Sequence, residues 1–307
     1  MKRLFALALL AACSPDATPT TAPLLSTTPA ASMPVGIGTH GYGDEIGMLG
    51  QVGVHTTRIT YYTKEASPQY DAQFAARLAA FDAAGIEPLI VVHDFFPYSA
   101  NVPSGLPWVV MPALAMRFPG RVWQMGNEWN EHAGYSGHDY AYAVYFAMTW
   151  ARAADPTAKF VGMGLSSNDN QPLFTQQYYQ WFAANQIDPT PLLDAWSFHC
   201  YGVDVGRCVR LRAAALRAVV PPTMPLWLTE VGADRYGIEA AWGAMSDAAI
   251  DDAQAQQTQA AIDAAREAGV ARVDFYQLLD GPTDYAFSFF RHNGTMRPSA
   301  LVVRAAQ

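Results

Sequence analysis

Hydrophobic and polar positions alternate in long units along the chain: a short run of β-branched and aromatic residues, then a longer Ala-rich stretch with apolar positions at helical spacing. Eight such units follow one another without a break. The β-rich runs predict strands at Val35–Thr39, Thr56–Tyr61, Glu87–His93, Arg121–Met125, Lys159–Gly164, Ala195–Tyr201, Pro225–Glu230 and Arg272–Leu278. Between them the pattern predicts helices at Glu45–Gln51, Tyr70–Ala84, Pro107–Arg117, Asp139–Ala154, Gln171–Asn185, Cys208–Val219, Asp247–Ala268 and Pro298–Ala306. In the second helix Phe74, Leu78 and Phe81 fall on one side and Gly85 supplies a stop. The strands are apolar at successive positions, as parallel strands covered on both faces must be. Repeated strand–helix units specify an α/β fold with a parallel sheet. A doubly wound open sheet is the rival, but eight units fit closure into a single (β/α)8 TIM barrel more simply.

The first residues do not belong to that pattern. Met1-Lys2-Arg3 is a short basic start and Leu4–Ala12 an apolar run too short to span a bilayer, which reads as a signal peptide over residues 1–12. The run closes on Leu10-Ala11-Ala12-Cys13, which resembles the lipobox of bacterial lipoproteins and implies lipidation of Cys13. Ser14–Ser32 is Ser, Thr, Pro and Ala with almost no large apolar residue, a composition that cannot offset its own ordering entropy. Residues 13–32 therefore read as a lipidated cysteine with a flexible linker, and 33–307 as the barrel domain. The expectation is an exported protein held by its N-terminal lipid, at the outer membrane, in the periplasm or on the cell surface. Ser14 after the cysteine resembles lipoproteins sent to the outer membrane.

Charge and cysteines narrow the chemistry. A formal charge of -8 argues against a nucleic-acid partner, which is held mainly by Lys and Arg. Cys200 and Cys208 are close in sequence and in an oxidising compartment, so a disulfide is expected, with two buried free thiols as the other reading. No spacing suggests a metal site or a cofactor. Gly36, Gly38 and Gly41 spell G-x-G-x-x-G, but Arg58 stands where a dinucleotide site needs an acid. His132 lacks the second histidine of H-E-x-x-H, and no G-x-S-x-G elbow is present.

In a (β/α)8 barrel the active site forms where strands end, so polar residues there carry most weight. Arg58 closes strand two, His93-Asp94 strand three, Asn127-Glu128-Trp129 strand four, His199 and Tyr201 strand six, and Thr229-Glu230 strand seven. Glu128 and Glu230 are carboxylates at the ends of apolar strands, a costly placement without a role or a partner. Glycoside hydrolysis needs such a pair: one protonates the leaving oxygen, and the other attacks from the opposite side when the two are about 5 to 5.5 Å apart.

These motifs resemble glycoside hydrolase clan A, especially families 5 and 39 and related exopolysaccharide hydrolases, over nearly all of 33–307. The resemblance implies that Glu128 is the acid/base and Glu230 the nucleophile. Asn127 would bind the sugar 2-hydroxyl, Tyr201 of the His199-x-Tyr201 pair would bond the nucleophile, and Arg58 would support it. Ala286-Phe287-Ser288-Phe289-Phe290, Asn293-Gly294 and Arg297-Pro298-Ser299-Ala300 resemble the closing turn before the last helix. Many members carry a tryptophan at the end of strand eight; here Phe275-Tyr276-Gln277 offers Tyr276 instead. Trp129, Tyr61 and Tyr98 are candidates for stacking on sugar rings, Trp129 foremost. The expected activity is retaining hydrolysis of a β-linked polysaccharide, endo-acting by analogy, with an oligo- or polysaccharide partner and the membrane met only through the lipid. A catalytically weak carbohydrate-binding lipoprotein and a transglycosylase are the alternatives.

Overall fold

The structure is a computed structural model that describes residues 33–41, 43–93, 107–131, 134–281 and 286–307. Eight strands appear where the pattern puts them: β1 (Val35–Gly38), β2 (Thr56–Tyr62), β3 (Glu87–His93), β4 (Val122–Gln124), β5 (Lys159–Val161), β6 (Trp196–Gly202), β7 (Leu226–Ala233) and β8 (Arg272–Phe275). All neighbours pair in parallel, in the order β5-β4-β3-β2-β1-β8-β7-β6. The ring is completed between β5 and β6 by isolated bridges, Val161 to Ala195 and Leu165 to Phe198. The fold is thus a single (β/α)8 barrel.

The helices are α1 (Glu45–Val52), α2 (Pro68–Ala83), α3 (Pro107–Arg117), α4 (Gly137–Ala154), α5 (Gln171–Ala184), α6 (Val205–Arg217), α7 (Arg235–Trp242), α8 (Asp247–Glu267) and α9 (Pro298–Ala305). On α2, Phe74, Leu78 and Phe81 are the buried positions, as their spacing requires. Each such side chain contributes about 1.5–3 kcal/mol by leaving water. Ser67 starts the helix by accepting from the Tyr70 amide, and Ser136 with Asp139 forms a capping box on α4. α7 was not expected from the pattern. It is a short helix in the β7–α8 connection, capped by Asp234, with Arg235 and Ile238 as its buried residues.

Strand five ends earlier than Gly164, and Gly162 and Gly164 beyond it lie against side chains of β6. A Cβ on Gly162 would come 2.8 Å from the Trp196 ring, and one on Gly164 1.9 Å from His199 Nε2. Gly36 is glycine for the same reason, since a Cβ there would meet Asp274 Oδ1 at 2.5 Å. That packing accounts for the first glycine of the G-x-G-x-x-G run. Asp274 is itself buried and paired with Arg272 at 2.8 Å.

Candidate active site

At the C-terminal end of β4 the chain turns sharply. Gly126 has φ +93° and Glu128, unusually for a side-chain-bearing residue, φ +52°. Backbone bonds hold this turn to the next strand connection: the Glu128 amide donates to the Gly164 carbonyl at 2.8 Å, and Asn127 bridges to Gly164. Asn130 pins it further, accepting from the Ser166 amide at 2.9 Å. A left-handed non-glycine residue costs about 1–3 kcal/mol, so these contacts over-determine a conformation that aims Glu128 into the barrel mouth.

On β7 a bulge does the aiming. Phe198 pairs with Leu228 but His199 with Glu230, leaving Thr229 as an extra residue. Glu230 is thereby brought to Arg58 on β2 and Tyr201 on β6. The Arg58 guanidinium donates to Glu230 Oε1, and the Tyr201 hydroxyl donates to Glu230 Oε2. The other Arg58 nitrogens are occupied too, Nε by Gln124 Oε1 at 3.1 Å and Nη2 by Asn127 Oδ1 at 2.6 Å. Gln124 is fixed in turn by donating to the Gly126 carbonyl at 2.9 Å. His199 is fully buried between the carboxylates, its Nδ1 2.8 Å from Glu128 Oε1 and 3.5 Å from Glu230 Oε2.

Burial alone would push the Glu230 carboxyl up. The Arg58 charge, the His199 imidazole and the Tyr201 hydroxyl outweigh it and hold the group down at about 2. Glu230 is therefore ionised across the neutral range. Burial, together with the Glu230 charge, moves the Tyr201 phenol the other way, well above its ordinary value. Tyr201 remains a donor.

Glu128, His199 and Glu230 offer oxygen and nitrogen atoms within 4.8 Å of one another, a spacing that also suits a cation. The Arg58 guanidinium on Glu230 opposes a cation there by direct repulsion. The cleft above these residues has a volume of about 470 Å³ and includes Asn127, Tyr276 and Phe287 in its wall. Tyr276 lies edge-on to His40 at 5.4 Å and to Tyr201 at 6.1 Å.

Arg58, Asn127, Glu128, His199, Tyr201, Glu230 and Tyr276 thus converge. Trp129 does not join them. The turn at Gly126 and Glu128 folds it inward, where it is 4% exposed and packs edge-on against Tyr140 at 5.4 Å, so it presents no face to a sugar. Tyr61 is likewise core, bonded through its hydroxyl to Asp71. Cys200 and Cys208 are free thiols instead of the expected disulfide. Cys200 is buried on β6 and Cys208 lies half-buried on α6. Cys13, Asp94, Tyr98 and His132 lie outside the described residues.

Gln124, which orients Arg58, is given no role by the sequence. Its signal was a fully buried amide in the apolar strand Val122-Trp123-Gln124. Glu131 and Ser167, also in the cleft wall, carried no such signal. A second cavity of about 490 Å³ is lined by Arg235, Arg291 and Arg297. Those arginines bond buried Asp251 and, through Arg297, Asp280, which clamps the β7 and β8 connections to α8.

No protein-family model matches the chain, and no curated protein matches it by sequence. Solved structures do. An exo-β-1,4-mannosidase from Opitutaceae bacterium strain TAV5 superposes with TM-score 0.68 and 14% identity, over 89% of this chain and 59% of that one. The endoglucanase Cel5A of Pseudomonas stutzeri, in complex with cellobiose, gives 0.66 and 16%, over 90% and 95%. A GH10 endoxylanase from a sugarcane soil metagenome gives 0.64 and 13%, over 89% and 96%. This chain shares the barrel of family 5 and family 10 glycoside hydrolases.

Proposed function

We propose that the chain is a retaining glycoside hydrolase acting on a β-linked polysaccharide. The observation that carries this reading is the pair of carboxylates, with oxygens within 4.8 Å, one of them held ionised by Arg58 and Tyr201. An inverting pair would stand about 6.5–9.5 Å apart to admit a water between. In the first step Glu230 attacks the anomeric carbon while Glu128 gives its proton to the departing glycosidic oxygen. The C–O bond breaks and a glycosyl ester on Glu230 forms. The negative charge of Glu230 is then gone, and Glu128, now a carboxylate, takes a proton from water as that water attacks the same carbon. Glu230 leaves as a carboxylate and the starting state returns.

Asn127 supports the reading because its Oδ1 is taken by Arg58, which leaves its amide N–H groups to bind a substrate hydroxyl. Tyr276 takes the place of the strand-eight tryptophan as an aromatic wall of the cleft. The activities named for two of the structural neighbours, a β-1,4-mannosidase and a β-1,4-xylanase, favour a β-linked glycan, and an open cleft fits internal cleavage. The signal, lipidation at Cys13 and the linker complete the proposal: export, and tethering at the cell envelope by lipid. Metabolic labelling with a fatty acid, compared with Cys13→Ser, tests the tether.

The activity test is release of reducing ends from a panel of bacterial and plant polysaccharides, with Glu128→Ala and Glu230→Ala in parallel. Release by the parent and loss in both variants is expected, with retained anomeric configuration in the first-formed product. Release that survives Glu230→Ala overturns the nucleophile. Glycan retention without release would identify a binding protein, and product longer than substrate a transglycosylase.

A further inference from the structure

The outer wall formed by α3, α4 and α5 differs from the rest of the surface. A chain with a formal charge of -8 places few charges on these three helices, Asp139 being their one carboxylate. Asp139 belongs to the capping box in the first turn of α4. Arg117 ends α3 and pairs with Asp71; Arg152 lies in the last turn of α4 and pairs with Asp194 at 2.8 Å. The middle of the wall therefore carries no formal charge. It carries rings instead. Tyr142, Phe146 and Trp150 recur at one-turn spacing on α4, with centroids 5.2 Å and 6.3 Å apart. Trp108 of α3 and Trp181 of α5 flank them, each touching Tyr142 at 6.2 Å and 6.1 Å. Tyr142 and Trp150 are about half exposed, and Val109, Met116 and Leu173 on the same helices are 57–65% exposed. A contiguous apolar patch of this kind marks an interaction site.

We infer that this wall docks on a lipid bilayer, lying in its interface without crossing it. The inference rests on the lipid tether proposed above. Among the described residues no helix is long and apolar enough to span a membrane. Tyr and Trp favour the headgroup boundary, where an apolar ring and a polar tip are both accommodated, and exposed aliphatic side chains between them reach the acyl region. The chain before residue 33 supplies the reason for lipid as the occupant. The composition of Ser14–Ser32 implies a random-coil span of about 25 Å, so a lipid on Cys13 would hold the domain at millimolar effective concentration over the bilayer. Weak interfacial affinity is then sufficient. Substrate access is preserved, because the cleft opens at the C-terminal ends of the strands and the wall is the barrel's side.

The test uses the full chain, lipidated and as Cys13→Ser, with vesicles of phosphatidylethanolamine and phosphatidylglycerol, some made with brominated acyl chains. Brominated vesicles should quench tryptophan fluorescence in both forms. Trp150→Ser should remove most of that quenching, whereas Trp242→Ser, a half-exposed tryptophan on α7, should not. Tyr142→Ser with Trp150→Ser should weaken vesicle binding of the Cys13→Ser form about tenfold or more, with the thermal transition checking the fold. Quenching that is absent, or that follows Trp242, overturns the inference. So does a dimer that forms without vesicles and is lost in the same double variant. A lipidated chain that floats with vesicles while Trp150 stays unquenched overturns docking but leaves the tether standing. Quenching by a wild-type chain that is found to carry no lipid overturns the tether alone.

Discussion

Replacing Arg58 with methionine removes the cation bonded to Glu230 while keeping most of the buried volume. Arg58 is 7% and Glu230 9% exposed, so water does not replace the lost guanidinium. Breaking a buried ion pair from one side costs about 3–5 kcal/mol. If protonation of Glu230 relieves that cost, its carboxyl rises from about 2 to roughly 4–6, at 1.36 kcal/mol per pH unit. Carbon-13 NMR of labelled glutamate side chains reads this directly, with Glu230→Gln assigning the resonance. In the parent the resonance should keep its ionised position down to about pH 3; in Arg58→Met it should titrate near pH 5. A linked stability change follows. The folded value of Glu230 lies below its ordinary value of 4.5, so its ionisation stabilises the fold above about pH 4.5. That contribution, about 3 kcal/mol, is lost as the pH falls through 2. A parent resonance that titrates between pH 4 and 5 would refute both the electrostatic account and the assignment of Arg58 as the supporting cation.

Tyr201→Phe removes one donor from Glu230 and should lower kcat about 10-fold or more and the thermal transition by several degrees, since a single hydrogen bond to a charged group is worth roughly 1.5–3 kcal/mol; unchanged kcat would place Tyr201 outside the reaction. Gly164→Ala drives a methyl into His199 Nε2, 1.9 Å away, and should cost about 1–3 kcal/mol in urea unfolding together with most of the activity; a fully active variant would show that His199 need not hold its position. Gln124→Leu frees Arg58 Nε and should reduce kcat while barely changing KM, because it acts on the nucleophile through Arg58 and not on the sugar; steady-state kinetics separates the two constants.

The barrel was legible because every strand–helix unit carries its own period. The two main carboxylates were legible because a charge ending an apolar strand is rare. What escaped depends on backbone geometry that residue type does not encode. Trp129 follows Glu128 directly and has the composition of a sugar platform, yet the positive φ at Gly126 and Glu128 turns it into the core. α7 was missed because a short helix in a connection has too few positions to show a period. The cysteine spacing Cys200–Cys208 fits a bridge, but bonding depends on sulfur geometry that spacing cannot set. Gln124 is an amide in an otherwise apolar strand, and only the turn at β4 shows what it orients.

The bridges between β5 and β6 set more than the closure of the ring. Glu128 is held from the β5 side, through Gly164, and Glu230 reaches the cleft from β7, which pairs with β6. The distance between acid and nucleophile is therefore measured across the seam that isolated bridges close in place of a continuous ladder, with backbone bonds that include Gly162 to Ala195 at 2.9 Å and His199 to Leu165 at 2.7 Å. Sub-global opening draws on such weakly paired regions first. On warming, the two carboxylates should part before the barrel melts, so that catalysis reports the integrity of this seam at temperatures where circular dichroism still reports a folded protein.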